Sequence, residues 1–219
     1  MAYMQYCPSS NPGSKIPVQV VPLTEKIVHI WVKEIQPYIK TQPNRSDVNW
    51  RWGIFYMLTR LIPQIKGYAI LTKTNKNTAI PAGLILCFPK YKWLADHNKL
   101  SSFVWFITSA PNEILKTLDV DNPPKVGRCL LDTAVQISMN AGYQGRIGLH
   151  AAPAGGNKLM SFYRHLDMLN LERNIALPAG PARLLQTRQA PQNYQNDGRF
   201  FYTDERAAAK ITLKGNIWR

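Results

Sequence analysis

The run Lys125-Val126-Gly127-Arg128-Cys129 is where this sequence gathers residues able to hold an anion. It opens a helical pattern, and a helix N-terminus turns free backbone N–H groups outward while its macrodipole favours negative charge. Gly127 lets a ligand approach the backbone, and Lys125 and Arg128 add formal positive charge. A phosphate-bearing ligand suits such a loop, although an ordinary strand-to-helix turn would carry one glycine equally well. Ser109, at the end of an apolar stretch, can donate a hydrogen bond or cap. Cys129 opens the helix, where a thiol is more readily ionised, or is simply a small core residue. Cys7, Cys87 and Cys129 are odd in number and widely spaced, so neither a disulfide framework nor a metal site is expected, and a reducing cytoplasm is.

These residues need elements to position them. Residues 1–20 are polar and read as a loose N-terminal arm or an edge strand. Thr24 caps a helical pattern with Ile27, Ile30, Trp31, Ile35 and Tyr38 on one face. Asp47 is placed to cap a second helix bearing Trp50, Ile54, Met57, Leu58 and Leu61, which Pro63 closes. Tyr68 to Thr72, a turn at Asn75–Asn77 and Ala82 to Phe88 predict a hairpin, and Phe103 to Thr108 a third strand. Leu130, Ala134, Ile137 and Ala141 predict a long helix ended by Gly142. Gly145 to His150 follows as a short buried strand, and Lys158 to Leu166 as another helix. Asn174 to Leu177 and Gly198 to Thr203 read as closing strands, with Asp204 capping a last helix. Residues 178–197 read as a long surface loop.

The stretch KVGRCLLDTAVQISMNAGYQGRIGLHA, with SFYRHLDM after it, resembles the core of the GNAT acetyltransferases. Leu130-Leu131 match the family's leucine pair, Gly127 its second loop glycine, and Phe162-Tyr163-Arg164-His165-Leu166 its tyrosine-bearing helix. Asn122 stands where the family has Gln or Arg, and Lys125 and Asp167 where it has glycine. The resemblance covers Phe103 to Met168 and implies an α/β fold: a mixed, mostly antiparallel sheet with a central splayed parallel strand pair, flanked by helices. It implies one GNAT-like domain over residues 21–219, after an arm at 1–20. It also implies that acetyl-CoA binds at Thr108, Ser109, Lys125, Val126, Gly127, Arg128, Cys129 and Asn157, with no metal. Tyr163 would be the acid that protonates the leaving thiolate, against the alternative of a packed core aromatic. His150 would be the base, against a hydrogen-bonded structural histidine.

The totals limit the rest. With 27 Lys and Arg against 13 Asp and Glu the net charge is +14, yet the bases are scattered, so RNA is admitted as a partner without being required. No apolar run is long enough to cross a membrane, and the N-terminus has no signal-peptide pattern. The resemblance implies a cytoplasmic N-acetyltransferase acting by direct attack of a primary amine: a small amine, a protein amine or an aminoacyl-tRNA. Trp31, Trp50, Trp52, Tyr56 and Trp93 are available to wall the amine pocket or to pack the core. A homodimer is admitted. The alternative is a non-catalytic GNAT-like module that binds CoA or nucleic acid.

Overall fold

The computed structural model describes residues 2–173, 175–183 and 196–212. The chain opens with two strands, β1 (Tyr3–Pro8) and β2 (Lys15–Pro22). Their burial alternates, turning Gln5, Cys7, Val18 and Val20 inward while Met4 and Tyr6 stay exposed. They pair antiparallel from Tyr3 opposite Val20 to Pro8 opposite Lys15, around a turn in which Gly13 has φ +80°. Most of residues 1–20 are thus a paired hairpin.

Thr24 caps α1 (Glu25–Ile30), its hydroxyl accepting from Ile27 N at 3.4 Å. The helix continues as a π-helical turn, Trp31–Ile35, into α2 (Gln36–Lys40), which carries Pro37 in its first turn. A proline has no N–H to return to the preceding turn, which accounts for the loosened winding there. Helix α3 (Trp52–Leu61) begins five residues after Asp47, so Asp47 is not its cap. The Asp47 carboxylate is engaged instead by Arg45 and Thr108.

Strands β3 (Lys66–Lys73) and β4 (Ala79–Lys92) form the expected hairpin, and β5 (Leu100–Ser109) the third strand. Helices α4 (Asn112–Thr117) and α5 (Val126–Asn140) follow, then β6 (Ile147–His150), α6 (Gly156–His165) and β7 (Leu169–Asn170). The chain closes with β8 (Phe200–Tyr202) and α7 (Glu205–Ile211), capped by Asp204. Residues 175–177 do not form the strand expected at 174–177. On the edge away from β6, β8 pairs with Leu169–Asn170, and Asn170 Nδ2 donates to the Gly198 and Phe200 carbonyls. Asn174 and residues 184–195 of the expected surface loop lie outside the described residues.

Two compact units divide the chain: residues up to 86 with 106–133, and residues 87–105 with 134–212. The strands of the first run β1-β2-β3-β4, and those of the second β4-β5-β6-β8-β7. Strand pairs β1–β2, β2–β3, β6–β8 and β7–β8 are antiparallel, and β5–β6 is parallel. This is the mixed, mostly antiparallel sheet with one parallel pair and flanking helices that was expected. Trp31, Ile35, Trp52, Ile70 and Ile85 are fully buried in the first unit. The second is packed around Tyr91, Leu94, Phe103, Leu171, Leu177 and Phe200.

Candidate functional site

The expected site residues fall into two groups, one in each unit. In the first, Thr108 and Ser109 end β5 and are tied to a buried ion pair. Arg45 Nε and Nη2 reach Asp47 at 2.8 and 2.5 Å, and Arg45 Nη2 also donates to the Ser109 carbonyl at 2.9 Å. The Thr108 hydroxyl donates to the Asp47 carboxylate. The Asp47 side chain is only 6% exposed, so both carboxylate oxygens are satisfied inside the fold. Arg45 and Asp47 precede Thr108 by some 60 residues (|i−j| 63 and 61), and periodicity gives no sign of the contact.

The start of α5 is packed tightly against β4. A Cβ on Gly83 would meet Val126 Cγ2 and Leu130 Cδ1 at 2.9 Å and the Thr108 carbonyl oxygen at 3.1 Å. Gly83 therefore lets the first turn of α5 approach the end of β5. The loop before α5 is stitched to the β1–β2 turn: Lys125 N donates to Pro8 O at 2.7 Å, and Ser10 N to Pro123 O at 2.9 Å. Asn122 Nδ2 reaches Ser14 Oγ at 3.4 Å. Lys125 is exposed, Gly127 and Arg128 are partly buried, and Val126 is buried. Cys129 is buried and forms a disulfide with Cys7, 122 residues away, contrary to the expectation of separate thiols. The β1–α5 packing that brings them together is invisible in cysteine spacing. Cys87 remains a buried free thiol.

In the second unit β5 and β6 pair in parallel at three positions: Ser102 with Ile147, Phe103 with Gly148, and Val104 with Leu149. A Cβ on Gly148 would meet Leu94 Cδ1 at 2.9 Å, so a larger residue there would have to shift the Leu94 side chain. The next residues in line, Trp105 and His150, are not ladder partners; on its other edge β6 pairs with β8, His150 standing opposite Phe200. The His150 side chain is 5% exposed, and its Nε2 lies 2.9 Å from Asp197 Oδ2. Burial raises the Asp197 carboxyl, but the hydrogen bond and charge of His150, with the Arg199 N–H, outweigh it and hold the group below its ordinary value. Arg199 clamps the turn between β6 and α6, donating from Nε to Ala151 O at 2.7 Å and from Nη2 to Ala152 O at 3.0 Å. Sequence reasoning misses both Asp197 and Arg199; an Asp-Gly turn in a polar loop is their only visible mark.

Tyr163 is 3% exposed and its ring packs 5.3 Å from Phe201, whereas His150 lies 4.6 Å from Phe200. Successive side chains on β8 alternate faces, so Tyr163 and His150 stand on opposite faces of that strand. Burial pushes the Tyr163 phenol above its ordinary value, which keeps it protonated throughout the physiological range. Asn157 is exposed in the first turn of α6.

The aromatic residues divide as well. Trp31 and Trp52 are buried core, and Trp50 and Phe55 pack on Phe106 with centroids 4.8 and 4.1 Å away. Trp93 instead packs edge-on to Tyr202 at 5.6 Å, between Lys99 and Arg146.

No family model and no curated protein matches the sequence. Solved structures do match in three dimensions. An acetyltransferase of the GNAT family from Staphylococcus aureus superposes with a TM-score of 0.51 at 14% identity, over 86% of this chain and 99% of that one. A domain from Methanocaldococcus jannaschii gives 0.50 at 10% identity, over 85% and 97%. The fold is that of a GNAT acetyltransferase. Its sheet order and parallel pair agree with the resemblance carried by residues 103–168. Among the described residues no helix is long and apolar enough to cross a membrane.

Proposed function

We propose that this protein transfers an acetyl group from acetyl-CoA to a primary amine. The observation that carries the reading is the parallel β5–β6 ladder that stops after three pairs, followed directly by the tyrosine-bearing helix α6. A strand that has lost its neighbour leaves backbone N–H and C=O groups for an extended amide chain, which is the chemistry of pantetheine. The first turn of α5 supports pyrophosphate binding through the N–H groups of Val126, Gly127, Arg128 and Cys129, with Arg128 and Lys125 adding charge. The Lys125 N–H is already given to Pro8, so its contribution would come from the side chain. Thr108 and Ser109, held by Arg45 and Asp47, would offer a fixed strand end to the donor, and Asn157 a side-chain amide.

Direct transfer needs proton traffic at two separate atoms. The amine must lose a proton before its nitrogen attacks the thioester carbon, and the departing sulfur must gain one as the C–S bond breaks. His150, oriented by Asp197, is suited to the first task. Tyr163, a phenol kept protonated by burial, is suited to the second. The nitrogen and the sulfur share one carbon, so two residues on opposite faces of β8 do not both reach it directly, and the amine proton would pass to His150 through a water. The products are an N-acetyl amide and the free thiol of CoA.

Thiol release from acetyl-CoA over a panel of amines tests the reading. Turnover should appear with at least one amine, and Tyr163→Phe should lower kcat by roughly 10²–10⁴-fold, the range of a lost general acid, with KM for acetyl-CoA little changed. Absence of thiol release from a chain that still binds CoA would instead favour a non-catalytic module.

A further inference from the structure

The second unit contains a cavity of about 500 Å³ that the acetyl-transfer chemistry leaves unused. It lies where the end of β4 meets residues 176–183. Among the described residues its lining includes Lys90, Lys92, His97 and Arg183, and no carboxylate. The ion pairs among the described residues engage other lysines, so the Lys90 and Lys92 ammoniums are not neutralised there. His97 Nε2 is buried without a hydrogen-bond partner. A buried polar atom left unpaired costs free energy that an occupant would recover.

In a regular strand Lys90 and Lys92 would face one way and Tyr91 the other. All three line the cavity at the strand's end, Lys90 and Lys92 exposed and Tyr91 buried, and Lys90 adopts φ +62°, a left-handed conformation. Such a conformation costs free energy in a lysine and tends to persist at sites with a task. Tyr91 Oη donates to Pro178 O at 2.7 Å, and Arg183 Nε to Leu177 O at 2.9 Å, which fixes the opposite wall. The Phe88 and Tyr91 rings, 6.3 Å apart and nearly perpendicular, give the cavity an aromatic side.

We propose that this cavity binds a phosphorylated small molecule bearing an aromatic ring. Lys90, Lys92 and Arg183 face its phosphate, and His97 donates from Nε2 in the tautomer that carries its proton there. The ring lies against Phe88 and Tyr91. The volume falls within the usual range for small-molecule sites, and a cluster of cations without a carboxylate selects for anions. The site stands apart from the acetyl-transfer reading and does not depend on it.

Calorimetry on the full chain at low salt, with phenyl phosphate and inorganic phosphate as probes, tests the proposal. Phenyl phosphate should bind more tightly than inorganic phosphate, and Phe88→Ala should abolish that preference. The double variant Lys90→Asn, Lys92→Gln should weaken phenyl phosphate by about tenfold or more, as expected for loss of charge-assisted hydrogen bonds. Both lysines are exposed and asparagine tolerates the left-handed backbone, so an unchanged melting temperature would confirm that this variant folds. Two results would overturn the proposal: no phenyl phosphate binding, or binding unchanged in the double variant. A short RNA that binds through the same lysines where phenyl phosphate fails would reassign them to a polyanion surface.

Discussion

Asp197 gives His150 a defined orientation through the 2.9 Å contact between its Oδ2 and His150 Nε2. Burial works against the carboxylate, yet contact with His150 and Arg199 lowers its pKa below the unfolded value. The sign follows directly. A carboxyl depressed in the folded state stabilises the fold above its unfolded pKa, about 3.9, and loses that contribution as pH falls through the lower folded value. The difference in unfolding free energy between the wild type and Asp197→Asn should therefore shrink as pH falls below about 4. Urea titrations at successive pH values read this difference, and a pH-independent gap would mean that the carboxylate charge is not what His150 and Arg199 recognise. On the proposed role of His150 as base, the same variant should lower kcat more than KM, since it would misorient His150 without removing a binding group.

At the scale of elements, the close approach of α5 to β4 depends on Gly83. Alanine there would bring a methyl group to 2.9 Å from both Val126 Cγ2 and Leu130 Cδ1, and to 3.1 Å from a backbone oxygen that cannot rotate away. Gly83→Ala should cost about 1–3 kcal/mol by overpacking. At Gly53 in α3 a Cβ would meet nothing within 4 Å, so Gly53→Ala should be neutral or stabilising by up to about 1 kcal/mol. Equal effects of the two substitutions in urea unfolding would refute the packing account. Elements of this kind are largely legible in sequence: the Thr24 cap, the β3–β4 hairpin, the Leu130-Leu131 helix and the Tyr163 helix all carry periodicity or caps that local physics writes there. The strand expected at 174–177 is not, because β-propensity identifies an extended apolar stretch without saying which stretch Phe200–Tyr202 will pair with. The Asp47 carboxylate misleads for a similar reason. An Asp before a helical run resembles a cap, and only the tertiary position of Thr108 and Arg45 diverts it. Arg199 and His97 leave no periodic trace at all, since a clamp on a turn and an unpaired imidazole are properties of packing.

At the scale of the whole molecule, the Cys7–Cys129 link closes a span of 122 residues. It joins β1 to the first turn of α5, where Lys125 N is also bonded to Pro8, so the N-terminal hairpin and the proposed phosphate loop form one braced assembly within their unit. Cross-linking so long a span restricts the unfolded chain more than the folded one, with a typical effect of about 2–4 kcal/mol. For a chain of this size that corresponds to a fall in Tm on the order of 10 °C when the link is removed. Alkylation of the unfolded, unreduced protein should label Cys87 alone, and labelling after reduction should reach Cys7 and Cys129 as well. Mass spectrometry of the labelled peptides distinguishes the cases. Labelling of Cys7 and Cys129 before reduction would show that the hairpin is held by hydrogen bonds and packing alone. In that event Cys129→Ser should leave Tm nearly unchanged, whereas a formed link predicts that Cys129→Ser and reduction lower it by the same amount.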